Sequence, residues 1–566
     1  MPYGSMAKVM KTFQPKIISS LKQYSGKKLV NDLVAGVIVA IIALPLSIAL
    51  AIASGVSPEK GLYTAIVAGF VIALLGGSSV NISGPTAAFA TIVAGIVAQF
   101  GVDGLVVATI MAGLMLILMG LCRLGVLIKY IPYTITTGFT AGIAVTIVIG
   151  QIKDFLGLTF AEGTHAVETA EKAEAIVKSI GTFHWQALLV GLVGLAVLIV
   201  WPKLKYVNKI PGSLVAVVVG VLMVKLLPLE VNTIGDLYTI SRELPRFDLP
   251  AFRFDTVKAL FPSAFTIAIL AGIESLLSCV VSDGMVGDRH NSNTELIAQG
   301  VGNVCSGLFG GIPATGAIAR TAANVKNGGR SPVAGMIHAV MLLLVLVLLM
   351  PYAAWIPMPT IAAILFMVAY NMSEWRQFVK ICRSAPKSDI FVLVVTFVLT
   401  VVFDLVVAIA VGMLLAVVLF MKQMADVTHI RVWSAADEKS ETDGGRLKKI
   451  PSDTAVFEID GPMFFADSDK FTGFPLKDGD RIMILRMRNV PTIDATAMRN
   501  LTALWHTCEK KGMTLLLSHV NEQPLSVMKK SGFYELVGEE NFFANIDDAL
   551  ERAKELSADN GLKQPI

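Results

Sequence analysis

Twice, otherwise apolar sequence is interrupted at a proline set among small residues: Ser83-Gly84-Pro85-Thr86 and Gly311-Ile312-Pro313-Ala314-Thr315. A short extended-looking stretch precedes each break (Ser79-Val80-Asn81-Ile82 and Leu308-Phe309-Gly310), and small residues able to run as a helix follow. Proline suits the first turn of a helix, where its missing N–H leaves no bond unmade. Helices are therefore expected from about Pro85 and Ala314, with Thr86 and Thr315 at their starts. A helix that begins at bilayer depth aims its free N–H groups and positive dipole end into the protein interior. That makes a site for an anion. Such backbone is not tolerated against lipid, so both breaks must line a cavity or be buried in protein. A pair of breaks in corresponding halves is the usual sequence pointer to a transporter's substrate site.

The bilayer setting follows from composition. The chain has 566 residues, 54% hydrophobic and 16% charged, with a mean hydropathy of +0.68. A soluble domain carries about 25% charge. Apolar runs of roughly 18 or more residues recur up to Lys422, which reads as a polytopic membrane protein. From Val427 to Ile566 charges are frequent and apolar runs short, as in a soluble domain. The expected division is a cytoplasmic segment 1–30, a transmembrane domain 31–426 and a cytoplasmic domain 427–566. The net charge of +4 says little beside its distribution. Cys122, Cys279, Cys305, Cys382 and Cys508 have no paired spacing, so neither a disulfide framework nor a metal motif is expected. No cofactor is implied. Lys8, Lys11, Lys16, Lys22, Lys27 and Lys28 precede an apolar span too long for a cleavable signal.

Fourteen spans, some short or broken, start near Asn31, Gly61, Pro85, Gly104, Pro132, Trp185, Pro211, Val257, Thr294, Ala314, Pro332, Met358, Ser388 and Leu405. With a cytoplasmic N-terminus, the inner loops hold Arg123/Lys129, Lys203/Lys205/Lys209, Lys326/Arg330 and Arg376/Lys380/Arg383/Lys387. The segment 162–178, on the outer side, leans acidic. This obeys the positive-inside rule. An even span count places the C-terminal domain in the cytoplasm as well. Laying Pro85 on Pro313 sets Pro45 on Ile273, beside Glu274. Two seven-span repeats result, 31–227 and 255–422, and an odd number of spans forces the second to be inverted. In the C-terminal part, Ala455–Asp460, Arg481–Arg486 and Thr514–Ser518 read as strands. Thr496–Lys511, Gln523–Ser531 and Ile546–Leu556 read as helices, giving an α/β domain.

Several residues could carry chemistry. Pro45, in Ala43-Leu44-Pro45-Leu46-Ser47, kinks its helix and frees a carbonyl; an ordinary structural kink is as good a reading. Glu274 is a carboxylate inside a long apolar span. An acid there costs about 2.5–3.5 kcal/mol on insertion scales and usually faces a cavity, where it can load and release a proton. The bland alternative is a carboxylate capped by Ser275 or Ser278. Arg320 either adds fixed positive charge beneath an anion or snorkels to the surface toward Lys326 and Arg330. Asp404 reads as a polar turn. Thr86 and Thr315 can cap their helices, bind substrate, or both. In the soluble part, Asp494 stands near a helix start as an N-cap, and Thr496 is a candidate ligand or phosphorylation site.

Ala43-Leu44-Pro45-Leu46-Ser47-Ile48-Ala49-Leu50-Ala51-Ile52-Ala53-Ser54-Gly55-Val56, continuing through Gly61-Leu62-Tyr63, resembles the signature of the SulP anion transporters (sulfate permeases). Ser83–Phe89 and Gly311–Asn324 are similar to that family's third and tenth spans, and Val427–Leu556 to its STAS domain. Ala271–Ser278, Asn371-Met372-Ser373-Glu374 and Ala385-Pro386-Lys387 are most similar to bacterial members of the aerobic C4-dicarboxylate kind. The resemblance implies an all-α fold of fourteen spans in a seven-plus-seven inverted repeat, shared with nucleobase transporters. It implies a core that moves against a gate, an anion held between the starts of spans 3 and 10, and a homodimer. The implied substrate site holds Leu46 and Ser47, Thr86 and Ala87, Ala319 and Arg320, with Glu274 coupling protons. A sodium-coupled bicarbonate branch carries aspartate in place of Glu274, together with hydroxyl ligands. Glutamate here, with apolar Ala317 and Ala319, favours protons. Thr496 matches the phosphorylatable position of anti-anti-sigma relatives, although Ala495 replaces a common serine.

The sequence thus points to proton-coupled uptake of a small anion, a C4-dicarboxylate or sulfate, across a bacterial inner membrane. Bicarbonate transport and an uncoupled exchanger or channel are rival readings on the same fold. A third rival makes the C-terminal module the working sensor, docking a cytoplasmic protein. Nothing suggests a nucleic-acid partner, and no nucleophile–base set or phosphate-binding glycine loop suggests an enzyme.

Overall fold

The computed structural model describes residues 13–22, 24–161, 166, 168–204, 210–241, 243–250, 253–403, 405–433, 450–466, 474–475 and 479–561. Asp404, expected at a turn, lies outside them, as do Lys205, Lys209 and Glu162. The chain divides into two compact units, Met1–Met413 and Leu414–Ile566.

Long apolar runs dominate the first unit, and in hydrocarbon a helix satisfies every backbone group within itself. Helices begin near the expected starts, at Gly26, Pro58, Ala87, Tyr133, Trp185, Gly212, Phe254, Ser292, Ile318, Pro332, Met358, Lys387 and Leu405. The start expected at Gly104 falls within helix Ala90–Leu121. That helix is broken in two at Gly101, whose φ of 68° and ψ of −171° belong to a region only glycine enters readily. Among the described residues, eight helices are long and apolar enough to cross a membrane by length and composition. Helix Gly26–Ala53 continues through Pro45.

Lipid-facing helices gain little from burying apolar surface against one another, so close contact at small residues decides their packing. The most extensive pairing joins Ala90–Leu121 to Ser292–Leu308. A Cβ on Gly113 would lie 2.6 Å from the Gly300 carbonyl oxygen, and one on Gly300 would lie 2.5 Å from that of Gly113. Either glycine replaced by alanine would push the pair apart. Glycine at position 61 lets its helix approach the Ser47 carbonyl in the same way.

The second unit contains a five-stranded sheet in the order β3 (His429–Trp433), β4 (Thr454–Asp460), β5 (Ile482–Asn489), β6 (Thr514–Ser518) and β7 (Phe542–Phe543). The first pair is antiparallel and the rest are parallel. Alternation along each strand feeds two cores, because successive side chains leave opposite faces. Phe457, Met483, Leu485 and Leu517 pack with helix Ala495–Lys510. Val456, Ile482, Ile484 and Leu516 pack with helix Ile546–Gly561. The three expected strands and three expected helices are all present. The antiparallel edge strand β3 and the two-residue β7 carry too little alternation to stand out in sequence.

Candidate functional site

The two breaks meet. Ser83–Gly84 forms β1 and Thr315–Gly316 forms β2, paired antiparallel with Ser83 opposite Gly316 and Gly84 opposite Thr315. Ala317 N–H adds a bond to the Ile82 carbonyl at 2.8 Å. This corrects the expected helix starts. Pro85 and Pro313 do not occupy first turns. The first helix opens as a short 3₁₀ turn at Ala87–Phe89, and the second opens at Ile318. The reason is local: a residue before proline is pushed out of the α region, and extended residues on both segments satisfy their backbone groups by pairing. Thr315 therefore lies in β2, and its hydroxyl donates to the Ala271 carbonyl (3.0 Å) instead of capping a helix. Thr86 is an N-cap by position but makes no side-chain cap, as is true of Ala317 at the second helix. First-turn N–H groups at both starts thus have no side-chain acceptor of the capping kind.

Beneath the crossing is a buried polar scaffold that the sequence reading missed. Glu295, 1% exposed, accepts from Gly77 N–H (2.9 Å), Ser78 N–H (3.2 Å), Asn81 Nδ2 (2.8 Å) and Gln299 Nε2 (3.1 Å). Asn81 Oδ1 in turn accepts from the Ser278 and Thr321 hydroxyls at 2.7 and 3.0 Å. Gln299 Nε2 reaches Ser83 Oγ at 2.9 Å. Asn303 clasps Ala314 on both backbone groups, donating to its carbonyl (2.9 Å) and accepting from its N–H (2.8 Å). Asn81, Glu295, Gln299 and Asn303 are thus orientation devices for β1 and β2. The signal in sequence was the spacing of Glu295, Gln299 and Asn303, four residues apart on one face of Ser292–Leu308, a face too polar for a lipid-facing span.

The named candidates distribute around this crossing. Glu274 Oε2 accepts from the Thr86 hydroxyl at 3.0 Å. Arg320 does not snorkel. It is 3% exposed, and its Nη2 donates to the Pro85 carbonyl at 3.1 Å and lies 3.5 Å from Ser47 Oγ. Its Nη1 is buried with no partner among the described residues, and a Cβ on Gly84 would lie 2.5 Å from that nitrogen. Glycine at 84 is what lets the guanidinium seat against β1. Among the described residues no ion pair joins Arg320 to Glu274, so the two charges flank the first break separately. Ser47 and Ala87 are buried, whereas Ala319 is exposed on the first turn of its helix. Leu46 is partly buried and packs on the apolar cluster of Phe155, Ala362 and Ile364. Ser275 bonds Thr315 and the Gly316 N–H rather than Glu274.

In the second unit Asp494 caps helix Ala495–Lys510, accepting from Ala497 N–H at 2.8 Å, and its other oxygen accepts from Phe465 N–H at 2.9 Å. Thr496 is half-buried in that helix's first turn.

Residues 29–396 match the sulfate permease family and residues 446–549 the STAS domain. The chain belongs to the sulfate permease family. Among its relatives, YvdB of Bacillus subtilis, named provisionally as a sulfate transporter, is 41% identical over 93% of this chain and 98% of its own. The bicarbonate transporter BicA of Picosynechococcus is 32% identical over 77% of this chain and 78% of its own. Of solved structures, SLC26A9 superposes with a TM-score of 0.87 at 20% identity, covering 99% of this chain and 96% of that one, which shows a shared fold. The transmembrane domain of BicA gives 0.60 at 32% identity, covering 70% of this chain and 98% of that domain. As a sulfate permease with a STAS domain, this protein is a membrane-embedded anion transporter.

Proposed function

We propose that this sulfate permease takes up a small divalent anion, a C4-dicarboxylate or sulfate, together with protons, by alternating access. The observation that carries the reading is the antiparallel meeting of β1 and β2, with Arg320 and Glu274 on either side of Pro85–Thr86. Two helix starts then face one anion, each contributing up to about 2 kcal/mol in partly buried geometry. Arg320 supplies a fixed charge with one nitrogen uncommitted. Ser47, Thr86, Ala87 and Ala319 complete the site by hydroxyl and backbone N–H, with Leu46 as packing behind it. Glu274 takes the proton that lowers the cost of moving a doubly charged cargo through a low-dielectric core. Fourteen crossings, two inverted repeats, a homodimer and cytoplasmic termini complete the proposal. The antiparallel sense of β1 and β2 supports the inversion. The STAS domain regulates, with Asp494 holding the helix on which Thr496 sits, and it offers a face to a cytoplasmic protein partner.

Uptake into proteoliposomes under an imposed pH gradient tests this. Sulfate or succinate is expected to accumulate in wild type and to equilibrate only in Glu274→Gln. Undiminished pH-driven accumulation by that variant would refute proton carriage by Glu274. Bicarbonate is the second reading, favoured by the 32% identity to BicA. It prevails if bicarbonate alone is accumulated in the same vesicles.

A further inference from the structure

A cavity of about 320 Å³ opens between helices Gly26–Ala53, Gly212–Leu226 and Pro332–Ala353. Leu44, Pro45, Val218, Leu222 and Leu349 are among its lining side chains, which are apolar except at Tyr352 and Trp355. Eight residues separate Leu214 from Leu222 along one wall, a rise of roughly 12 Å, so the cavity is an elongated groove. Val218, Leu222 and Leu349 are each 49% exposed, which leaves it open to the side.

One end of the groove differs chemically. Tyr352 and Trp355 stack edge to face at 5.2 Å. Lys225, one turn beyond Leu222, places its Nζ 4.7 Å from the Trp355 ring centre. Tyrosine, tryptophan and lysine together are the residues that anchor at a membrane–water interface. An apolar cavity does not fill with water; one of roughly 150 Å³ stays dry and takes apolar ligands. A hydrocarbon tail fits the groove, and an anionic head group fits its cationic, aromatic end.

We propose that this groove is a phospholipid site, with one acyl chain along Pro45 and Val218 and the phosphate at Lys225. Leu44 and Pro45 directly precede Leu46 and Ser47, so a chain in the groove wedges the helix that carries Ser47 against Gly212–Leu226. That consequence for transport rests on the proposed function; the binding does not.

The full chain, purified and delipidated, is incubated with phosphatidylglycerol or with phosphatidylethanolamine of the same chains, and retained lipid is counted by native mass spectrometry. Wild type is expected to retain phosphatidylglycerol roughly fivefold more tightly than Lys225→Gln, the fold-change expected of one basic residue at an anionic lipid surface. Val218→Trp, at a half-exposed position, fills the groove and is expected to displace both lipids. Equal retention by wild type and both variants overturns the site. Loss of a dimer in Val218→Trp, with lipid retention unchanged, overturns the lipid in favour of a second copy of the chain. Retention is read without transport, so a protein that holds lipid as expected but moves no anion refutes the transport reading alone.

Discussion

Glu295→Gln tests whether the crossing of the two breaks is held by its buried carboxylate. All four partners of Glu295 are donors: Gly77 and Ser78 N–H on one oxygen, Asn81 and Gln299 amides on the other. Glutamine keeps one acceptor and turns the other into an NH₂ group facing donors. Rotating Asn81 to compensate would break its bonds from Ser278 and Thr321. Gln299, whose Oε1 has no partner among the described residues, can turn its amide to accept from the new NH₂ and from the Ser83 hydroxyl. Asn81 Nδ2 is the donor that loses its acceptor, so the variant is expected to lose about 1–3 kcal/mol. Thermal unfolding of the detergent-purified protein reads this as a midpoint lower by several degrees. Because Gln299 also bonds Ser83, and Asn81 bonds the Thr321 hydroxyl that accepts from Ile82 N–H, KM for the anion should rise more than the maximal rate falls. Glu295→Asp, with a shorter arm and the same acceptors, should recover part of both. An unchanged midpoint together with an unchanged KM would show that the carboxylate does not hold the break.

Gly84→Ala places a methyl where Arg320 Nη1 now sits, 2.5 Å from the ideal Cβ position. Anion affinity should fall at least about tenfold, a loss of about 1.4 kcal/mol, with expression preserved; equal affinity would mean the guanidinium is not part of the site. Asp494→Ala removes an N-cap and the acceptor of Phe465 N–H. It should destabilise the STAS domain by about 1–2 kcal/mol, read by urea unfolding followed at Trp505, whereas Asp494→Asn should lose less. Asp288 is partly buried, which opposes ionisation. The Ser79 hydroxyl, Lys16 and the Arg289 N–H outweigh that and hold its carboxyl below the usual range. Its contribution is therefore full above the unfolded value of about 3.9 and is lost as pH falls through the lower folded value. Lys16 Nζ lies 2.9 Å from Asp288 Oδ1, so proteolysis near Lys16 should stay slow at pH 6 and quicken only below about pH 4; quickening near pH 6 would exclude this ion pair as what holds the segment.

Sequence carried the helical architecture because apolar length and proline placement are local properties. The STAS strands Thr454–Asp460 and Thr514–Ser518 were legible for the same reason. What was not legible is long-range. Nothing local tells Ser83 that it will pair with Gly316, so the prolines were read as helix starts when they are the corners before them. The fate of Arg320 was equally undecidable from its neighbours Lys326 and Arg330. It turns inward because Pro85 offers a carbonyl and Gly84 offers space, both more than two hundred residues away in the chain. Glu295 escaped notice since it sits in the first turn of its helix, where an acid is ordinary.

In the proposed mechanism, the separation of Arg320 from Glu274 is what makes a proton useful at this crossing. Were they paired, each would satisfy the other, and removing either would leave a buried charge exposed to low dielectric. Apart, their charges add to the field of the site. Each helix start contributes about half a positive charge and Arg320 one more. With Glu274 ionised, the site carries about one net positive charge; with Glu274 protonated, about two. A divalent anion is thus balanced only after Glu274 has taken a proton, and a monovalent one only before. Thr86 can serve either state, donating its hydroxyl to the carboxylate or turning with it when the carboxyl is protonated. On this account the same crossing selects sulfate or succinate at low pH and bicarbonate at high pH. Glu274→Gln should then fix the divalent preference at every pH; a cargo preference in that variant that still changes with pH would show that Glu274 does not set it.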